Sequence, residues 1–423
     1  MSPRERNLSV IEGGQQQRQS PPPAAGPSRR SLRGLDWFVF FVADVQTGFG
    51  PFVAVYLTTQ KWTQIDIGLI LTVAGLVALA AQVPGGMLVD AARSERLVAG
   101  LAITAIALSA LAYAAFPIFP AILAAAVTHA TASCVLGPAI AAISLGLVGH
   151  TGIGERLGRN ARFASVGNGF AAALMGAFGY FFSARSVFVV TAILLIPTLL
   201  ALRQIAPSEI SPALAHGGPS EPDRPATPFR ALLRQRSLLL LACCIGLFHL
   251  ANAAMLPLMG SALTSRLSNW ATVLITTCIV VPQLVVALIA PWIGRQAEAW
   301  GRRPLLLLGF SALAVRGLLF ATFADPAVIV AVQLLDGISA AVLGVMVPLI
   351  VADITRGTGR FNSSLGVVGM VAGGGAAMST TLAGAMTDYL GSSFAFFGLG
   401  MIAIMAVIAV LLLIPETRPT PVA

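Results

Sequence analysis

Few side chains in this sequence could do chemistry, and most of those stand inside long apolar runs. Asp44 lies about nine residues into a run that begins at residue 35, about 14 Å deep at ~1.5 Å per residue. An ionisable group in hydrocarbon is costly, so each one is a candidate site. A carboxylate at that depth could alternate between proton-bound and free states and so couple a proton gradient to movement. It could equally cap a kink, or hold a cationic solute. Asp336 and Arg316 reach similar depths in two later runs and suggest a buried ion pair; Asp336 is also a second coupling candidate. His129 is a third, because an imidazole can relay a proton. Gln46, Asn168, His249, Asn252 and Gln283 could hydrogen-bond a polar solute. Phe38, Phe40, Phe41, Phe49 and Phe52 surround Asp44 in sequence and could give the site an apolar, aromatic wall.

A second group lies between the runs. Asp90, with Arg93 and Arg96, and Glu298, with Arg302 and Arg303, occupy short polar turns. Asp353 and Arg360 close a third. Such charges at helix ends could latch two halves of a molecule together in one state and release them in another.

The elements that position these residues are set by composition. Of 423 residues, 57% are hydrophobic and 10% charged, with a mean hydropathy of +0.85. A bilayer crossing takes about 20 apolar residues. Twelve runs meet that: 35–58, 65–89, 97–116, 119–148, 163–182 and 185–203, then 237–260, 270–293, 304–323, 326–352, 363–387 and 392–414. The sequence therefore predicts an all-α membrane protein. Residues 1–34 read as a disordered tail, 35–203 and 237–414 as two six-helix bundles, 204–236 as a polar linker and 415–423 as a second tail. The net charge of +9 does not point to nucleic acid, because the basic residues are spread over the short turns without interleaved aromatics. Nearly all of them fall on one side if the N-terminus is cytoplasmic; Lys61, Arg185, Arg266 and Arg316 are the exceptions. That bias places both termini and the linker in the cytoplasm.

The halves echo each other. Gly86 and Asp90 recur as Gly294 and Glu298, His129 and Gly137 as Asp336 and Gly344, and Gln46 and Pro51 as Asn252 and Pro257. Duplication of this kind points to the junction of the halves as the site.

In these features the sequence resembles the major facilitator superfamily. The turn from Gly294 to Pro304, GRQAEAWGRRP, is close to that superfamily's signature loop, with Glu298 where aspartate is usual. The turn after the second run keeps Asp90 but has Arg93 where glycine is preferred. Pro415-Glu416-Thr417-Arg418 is a further familiar ending. The resemblance implies two pseudo-symmetric bundles of six transmembrane helices working by alternating access in a bacterial inner membrane. It implies a monomer whose partners are a small-molecule substrate, protons and the lipid bilayer. It names no substrate, and the run with Gly167, Asn168 and Gly169 lacks the Gly-Pro pair of many drug/proton antiporters.

No metal spacing, nucleotide loop or nucleophile constellation occurs, so neither an enzyme nor a cofactor is expected. The leading expectation is proton-coupled export of small organic compounds, on the strength of Asp44 and the aromatic surroundings. The alternative is proton-coupled import of a nutrient or organic anion. A non-transporting receptor or scaffold on the same fold fits less well, because the loop charges are present.

Overall fold

A computed structural model of the chain describes residues 26–47, 50–218, 227–266 and 271–418. The structure is entirely helical over those residues. Helices α1 (Arg29–Thr47) and α2 (Gly50–Thr59) form the first run, followed by α3 (Gln64–Ala91) and α4 (Glu95–Ala115). α5 (Phe119–Phe181) comes next, then α6 (Ala184–Ile193) and α7 (Leu195–Arg203). The linker contributes a 3-10 turn (Pro207–Glu209), α8 (Pro212–Ala215) and α9 (Phe229–Leu232). The second half holds α10 (Arg236–Asn252), α11 (Met255–Arg266), α12 (Ala271–Trp300) and α13 (Arg302–Thr322). It ends with α14 (Pro326–Ile354), α15 (Phe361–Leu390) and α16 (Ser392–Leu413). Among the described residues, ten helices are long and apolar enough to cross a membrane.

Local sequence sets the helix starts. Thr63 and Ser94 cap α3 and α4, accepting from the Asp66 and Leu97 amides at 3.1 and 3.3 Å. Asp325 caps α14 by accepting from Ala327 and Val328 at 2.9 and 3.2 Å, and Pro326 follows at the first helical position.

Several boundaries differ from expectation. α1 begins at Arg29, inside the stretch read as a tail; residues 1–25 lie outside the described residues. The fourth and fifth runs are one helical stretch of 63 residues, about 95 Å at ~1.5 Å per residue and far longer than one crossing. It bends at Gly149, where φ is 68°, a conformation that glycine adopts without steric cost. The turn expected between those runs, with Arg156, Arg159 and Arg162, is therefore helical.

Two cores form, one centred on α1 to α7 and the other on α10 to α16. Apolar side chains also cover the outside: Leu97, Leu101, Leu108 and Leu111 run up one face of α4, and Phe394, Phe397, Met401, Met405 and Ile408 up one face of α16, all exposed. Such stripes suit hydrocarbon rather than water as the surrounding solvent.

Part of the polar linker packs against both halves. Ile205, Ile210 and Ala215 are buried in the first core. The Ser211 amide donates to Gly146 O at 3.0 Å, and His216 Nε2 lies 3.0 Å from Glu95 Oε1, both on the first half. Ala215 O accepts from Asn362 Nδ2 at 3.1 Å and His216 O from the Phe361 amide at 3.1 Å, both on the second. Residues 204–218 thus strap the halves together at the arginine-rich face; residues 219–226 lie outside the described residues. Glu209 accepts from the Ser28 amide at 2.9 Å, which holds its carboxyl below its ordinary value and ties down the start of α1.

The C-terminal segment has a similar anchoring role. Gly301 precedes α13 with φ 92° and offers no side-chain cap. Glu416 supplies one from far along the chain, accepting from the Arg302 and Arg303 amides at 2.8 and 3.1 Å. Partial burial pushes its carboxyl up, but the amides of Arg302, Arg418 and Arg303 outweigh that and hold it below its ordinary value. A depressed carboxylate stabilises the fold fully above its ordinary range, and the contribution is lost as pH falls through the depressed value. Glu416→Ala is expected to cost about 1 kcal/mol, the usual worth of a cap at a solvent-facing site. Thermal unfolding in detergent should show a lower Tm at neutral pH, with the difference from the wild type shrinking on acidification. An unchanged Tm at neutral pH would remove the cap from the account.

Candidate functional site

The site is built where the halves meet. Adding 208 to residue numbers 82, 86, 154 and 158 gives 290, 294, 362 and 366, and these eight positions form the seam. A Cβ on Gly86 would stand 2.1 Å from Asn362 O, and one on Gly294 would stand 2.2 Å from Gly154 O. One on Gly158 would stand 2.5 Å from Ala290 O, and one on Gly366 would stand 2.4 Å from Gln82 O. The two contacts, α3 against α15 and α5 against α12, are therefore copies of each other. Each brings backbone onto backbone, which only glycine permits.

Side chains extend the seam inward. Arg162 Nε donates to Ala287 O at 2.8 Å, and Ser165 Oγ to Gln283 O and Oε1 at 2.9 and 2.6 Å. Farther from the arginine-rich face, a Cβ on Gly169 or Gly176 of α5, or Gly75 of α3, would meet nothing within 4 Å. The halves are closed at one face and part beyond it.

Above the closed end lies a cavity of about 530 Å³. Val39, Gly137, Pro138, Ile140, Val286, Gly344 and Pro348 make its apolar wall. Gln82, Asn160, Ser165, Asn168 and Gln283 are its polar groups. Of the candidate solute contacts, Asn168 and Gln283 line it. Asn160 belongs to a network that sequence reasoning missed. Its Oδ1 accepts from Arg156 Nε and its Nδ2 donates to Ser144 Oγ, both at 2.8 Å. Arg156 and Arg159 in turn converge on Asp36 at 2.5 and 2.6 Å. Asp36 is 1% exposed. It stands near the end of its run, where a charge reads as an interfacial residue, and nothing in the sequence signals that two arginines meet it.

The other candidates surround the cavity without lining it. Asp44 is fully buried in α1, and neither carboxylate oxygen has a hydrogen-bond partner among the described residues. Gln46 Nε2 donates to Ser133 O at 3.2 Å, and the Gln46 carbonyl lies 3.1 Å from His129 Nε2. Those two residues tie the end of α1 to α5, where α1 leaves carbonyls without intrahelical partners. Arg316, 1% exposed, pairs with Asp336 and donates to Asn252 Oδ1 at 2.7 Å, so Asn252 is drawn into the ion pair. Its guanidinium lies 5.4 Å over the Phe320 ring. His249 packs edge-on to Phe248 at 5.6 Å. Of the aromatics, Phe38 is in the first core, and Phe40 and Phe41 cluster with Trp37, away from the cavity lining. Phe49 lies outside the described residues.

The loop charges divide unequally. Asp90 crosses to the other half and sits at the start of α15. It accepts from the Asn362 amide and Nδ2 at 3.0 Å each, and from the Ser363 amide at 2.8 Å. A carboxylate against a helix N-terminus is favoured by both charge and hydrogen bonding. Glu298, its counterpart, does not make the expected latch in this state. It pairs with Arg302 at 2.9 Å, and Arg302 with Asp353 at 2.9 Å, all within the second half. The matching place differs in chemistry: the residue 208 before Ser363 is Glu155, a carboxylate where Asp90 meets a hydroxyl donor. Arg303 donates to Leu411 O, and Arg360 Nε to Thr227 O at 2.8 Å. Arg93 is exposed, and Arg96 is half-buried.

This asymmetry gives a paired expectation. Asp90→Asn removes charge-assisted bonds worth roughly 1.5–3 kcal/mol, so the closed state should lose about 10- to 100-fold in population. Glu298→Gln should leave that population unchanged. The distance between spin labels at Arg93 and Arg356, one on each half at that face, would read both. Equal responses would show that the latch is symmetric after all.

Two closely packed, duplicated halves around a central cavity define a membrane transporter of the alternating-access kind. The chain belongs to the major facilitator superfamily: the model of that family matches residues 37–282 and 241–423. It is an integral membrane protein and not an enzyme. Uncharacterized MFS-type transporters from two strains of Mycobacterium tuberculosis are 39% identical over 395 residues, covering 92% of this chain and 94% of theirs. Among solved structures, FucP in the outward conformation superposes with a TM-score of 0.73 at 16% identity, over 90% of this chain and 97% of that one. The human organic anion transporter MFSD10 (TETRAN) gives 0.67 at 16%, over 91% and 100%. At such identities these two show the shared fold.

Proposed function

We propose that the chain is a proton-coupled secondary transporter that takes up a small organic solute, with Asp44 as the coupling carboxylate. Counting α5 as two crossings, and α1 with α2, α6 with α7 and α10 with α11 as one each, gives twelve spans. These form bundles over 35–203 and 237–414, joined by the linker at 204–236. The arginine-rich face is cytoplasmic, the membrane is the bacterial inner membrane, and the unit is a monomer. The cavity then faces outward with its cytoplasmic side shut. Asn168 and Gln283 contact solute there, while Asp336, His129 and His249 support the walls.

The observation that carries this reading is the separation of Asp44 from the cavity lining. Proton and solute do not compete for one group, so both can be bound at once, as co-transport requires. The Escherichia coli FucP, a fucose:proton symporter, superposes with a TM-score of 0.68 at 16% identity, over 90% of this chain and 98% of that one. Export by exchange has less support. Its grounds were an acid and aromatic rings at the site, and neither lines the cavity.

Uptake of a solute panel into liposomes holding the purified protein tests the reading. Accumulation should follow an inward proton gradient and collapse with a protonophore. Accumulation that instead needs an outward proton gradient would establish exchange.

A further inference from the structure

We propose that the central cavity selects an electrically neutral, largely apolar solute that carries amide- or hydroxyl-type hydrogen-bonding groups. This rests on the cavity being the solute site. Its described lining contains no ionisable and no aromatic side chain. Every polar group in it is an amide or a hydroxyl: Gln82, Asn160, Ser165, Asn168 and Gln283. These can donate and accept at a fixed solute but cannot neutralise a charge.

The charges nearby are already committed or shut away. Below the floor, Asp36 is held by Arg156 and Arg159. In the second half, Arg316 is held by Asp336 and Asn252. Asp44 is fully buried off the lining. An anion entering the cavity would leave water without meeting an arginine, a lysine or a helix N-terminus. A cation would meet neither a carboxylate nor a ring face. An uncharged solute loses only hydrogen bonds to water, which polar groups of the lining can replace. Ser165 already occupies the Gln283 side-chain oxygen at 2.6 Å, which leaves the Gln283 amide nitrogen to donate to the solute. The volume of about 530 Å³ suits a single small molecule.

Matched triplets test this, each scaffold carrying a primary amide, a carboxylate or a primary ammonium. Indole-3-acetamide, indole-3-acetate and tryptamine form the first triplet, with octanoic- and decanoic-chain triplets beside it. Ligand-induced shifts in Tm of the full-length protein are read in the wild type and in Gly344→Leu and Ala340→Leu. A Cβ at Gly344 has only Ala161 Cβ near it, at 3.9 Å, so the larger side chain fills the cavity without straining the backbone. Two variants guard against one failing to fold. Amide members should bind at least about tenfold more tightly than their charged partners, and both variants should abolish the shift. A carboxylate or ammonium member bound as well as its amide, and lost in the same variants, would overturn neutrality while leaving the cavity as the solute site. Shifts that survive both variants, or none from any member in the wild type, would overturn the cavity as the solute site and this inference with it.

Discussion

Asp44→Asn is expected to abolish solute accumulation driven by a proton gradient, bringing it to the level of empty liposomes. Solute binding and gradient-free exchange should remain. An ionised carboxylate buried without a partner is costly, and a bound proton removes that cost. The two charge states of Asp44 therefore stabilise differently the conformation with the arginine-rich face closed. A ligand can shift an equilibrium only by such a difference in affinity, and here the ligand is the proton. Asparagine keeps the shape and stays neutral, so it fixes one state and removes the cycle. The paired readout is accumulation under a gradient against exchange of labelled solute without one. Loss of both would mark Asp44 as structural; retention of both would pass the coupling role to Asp336 or His129.

Gly158→Val and Gly366→Val should each prevent closure of the arginine-rich face and so stop transport. The added Cβ would fall 2.5 and 2.4 Å from a carbonyl oxygen of the opposite half. Both neighbours are backbone within helices, so neither can swing aside. The clash exists only while the halves are in contact, so the cost falls on the closed state and spares the fold of each half. Because the positions are related by the duplication, the two variants should behave alike. The distance between spin labels at Arg93 and Arg356 should lengthen in both. A variant that transported normally would show that the seam is not a moving contact.

Much of this architecture was legible in the sequence, because long apolar runs and an echo of about 208 residues survive without knowledge of contacts. The Arg316–Asp336 pair followed from matching depths along two runs. The glycine seam did not follow. Gly86 and Gly294 stood out as an echo, but their partners Asn362 and Gly154 differ in residue type, so the pseudo-symmetric contact is hidden. The latch was half-read for the same reason: Asp90 and Glu298 look equivalent until Ser363 and Glu155 are placed beside them. Gln46 and Asn252 showed as polar groups at depth, and sequence gives no means to tell a solute contact from a bond to Ser133 or Arg316. That part of the linker packs into the first core was not legible beneath its prolines and charges; the five-residue spacing of Ile205, Ile210 and Ala215 was the available signal.

The central claim is that the halves rock about the cavity, with one end closing as the other opens. Spin labels at Arg93 and Arg356 would span the arginine-rich ends, and labels at Lys61 and Tyr389 the opposite ends, in liposomes at acidic and alkaline pH. Double electron–electron resonance should show reciprocal changes: the distance at the arginine-rich face lengthens as the opposite one shortens, and Asp44→Asn holds both at one setting whatever the pH. Distances that stay fixed at both ends, or that lengthen and shorten together, would contradict the account.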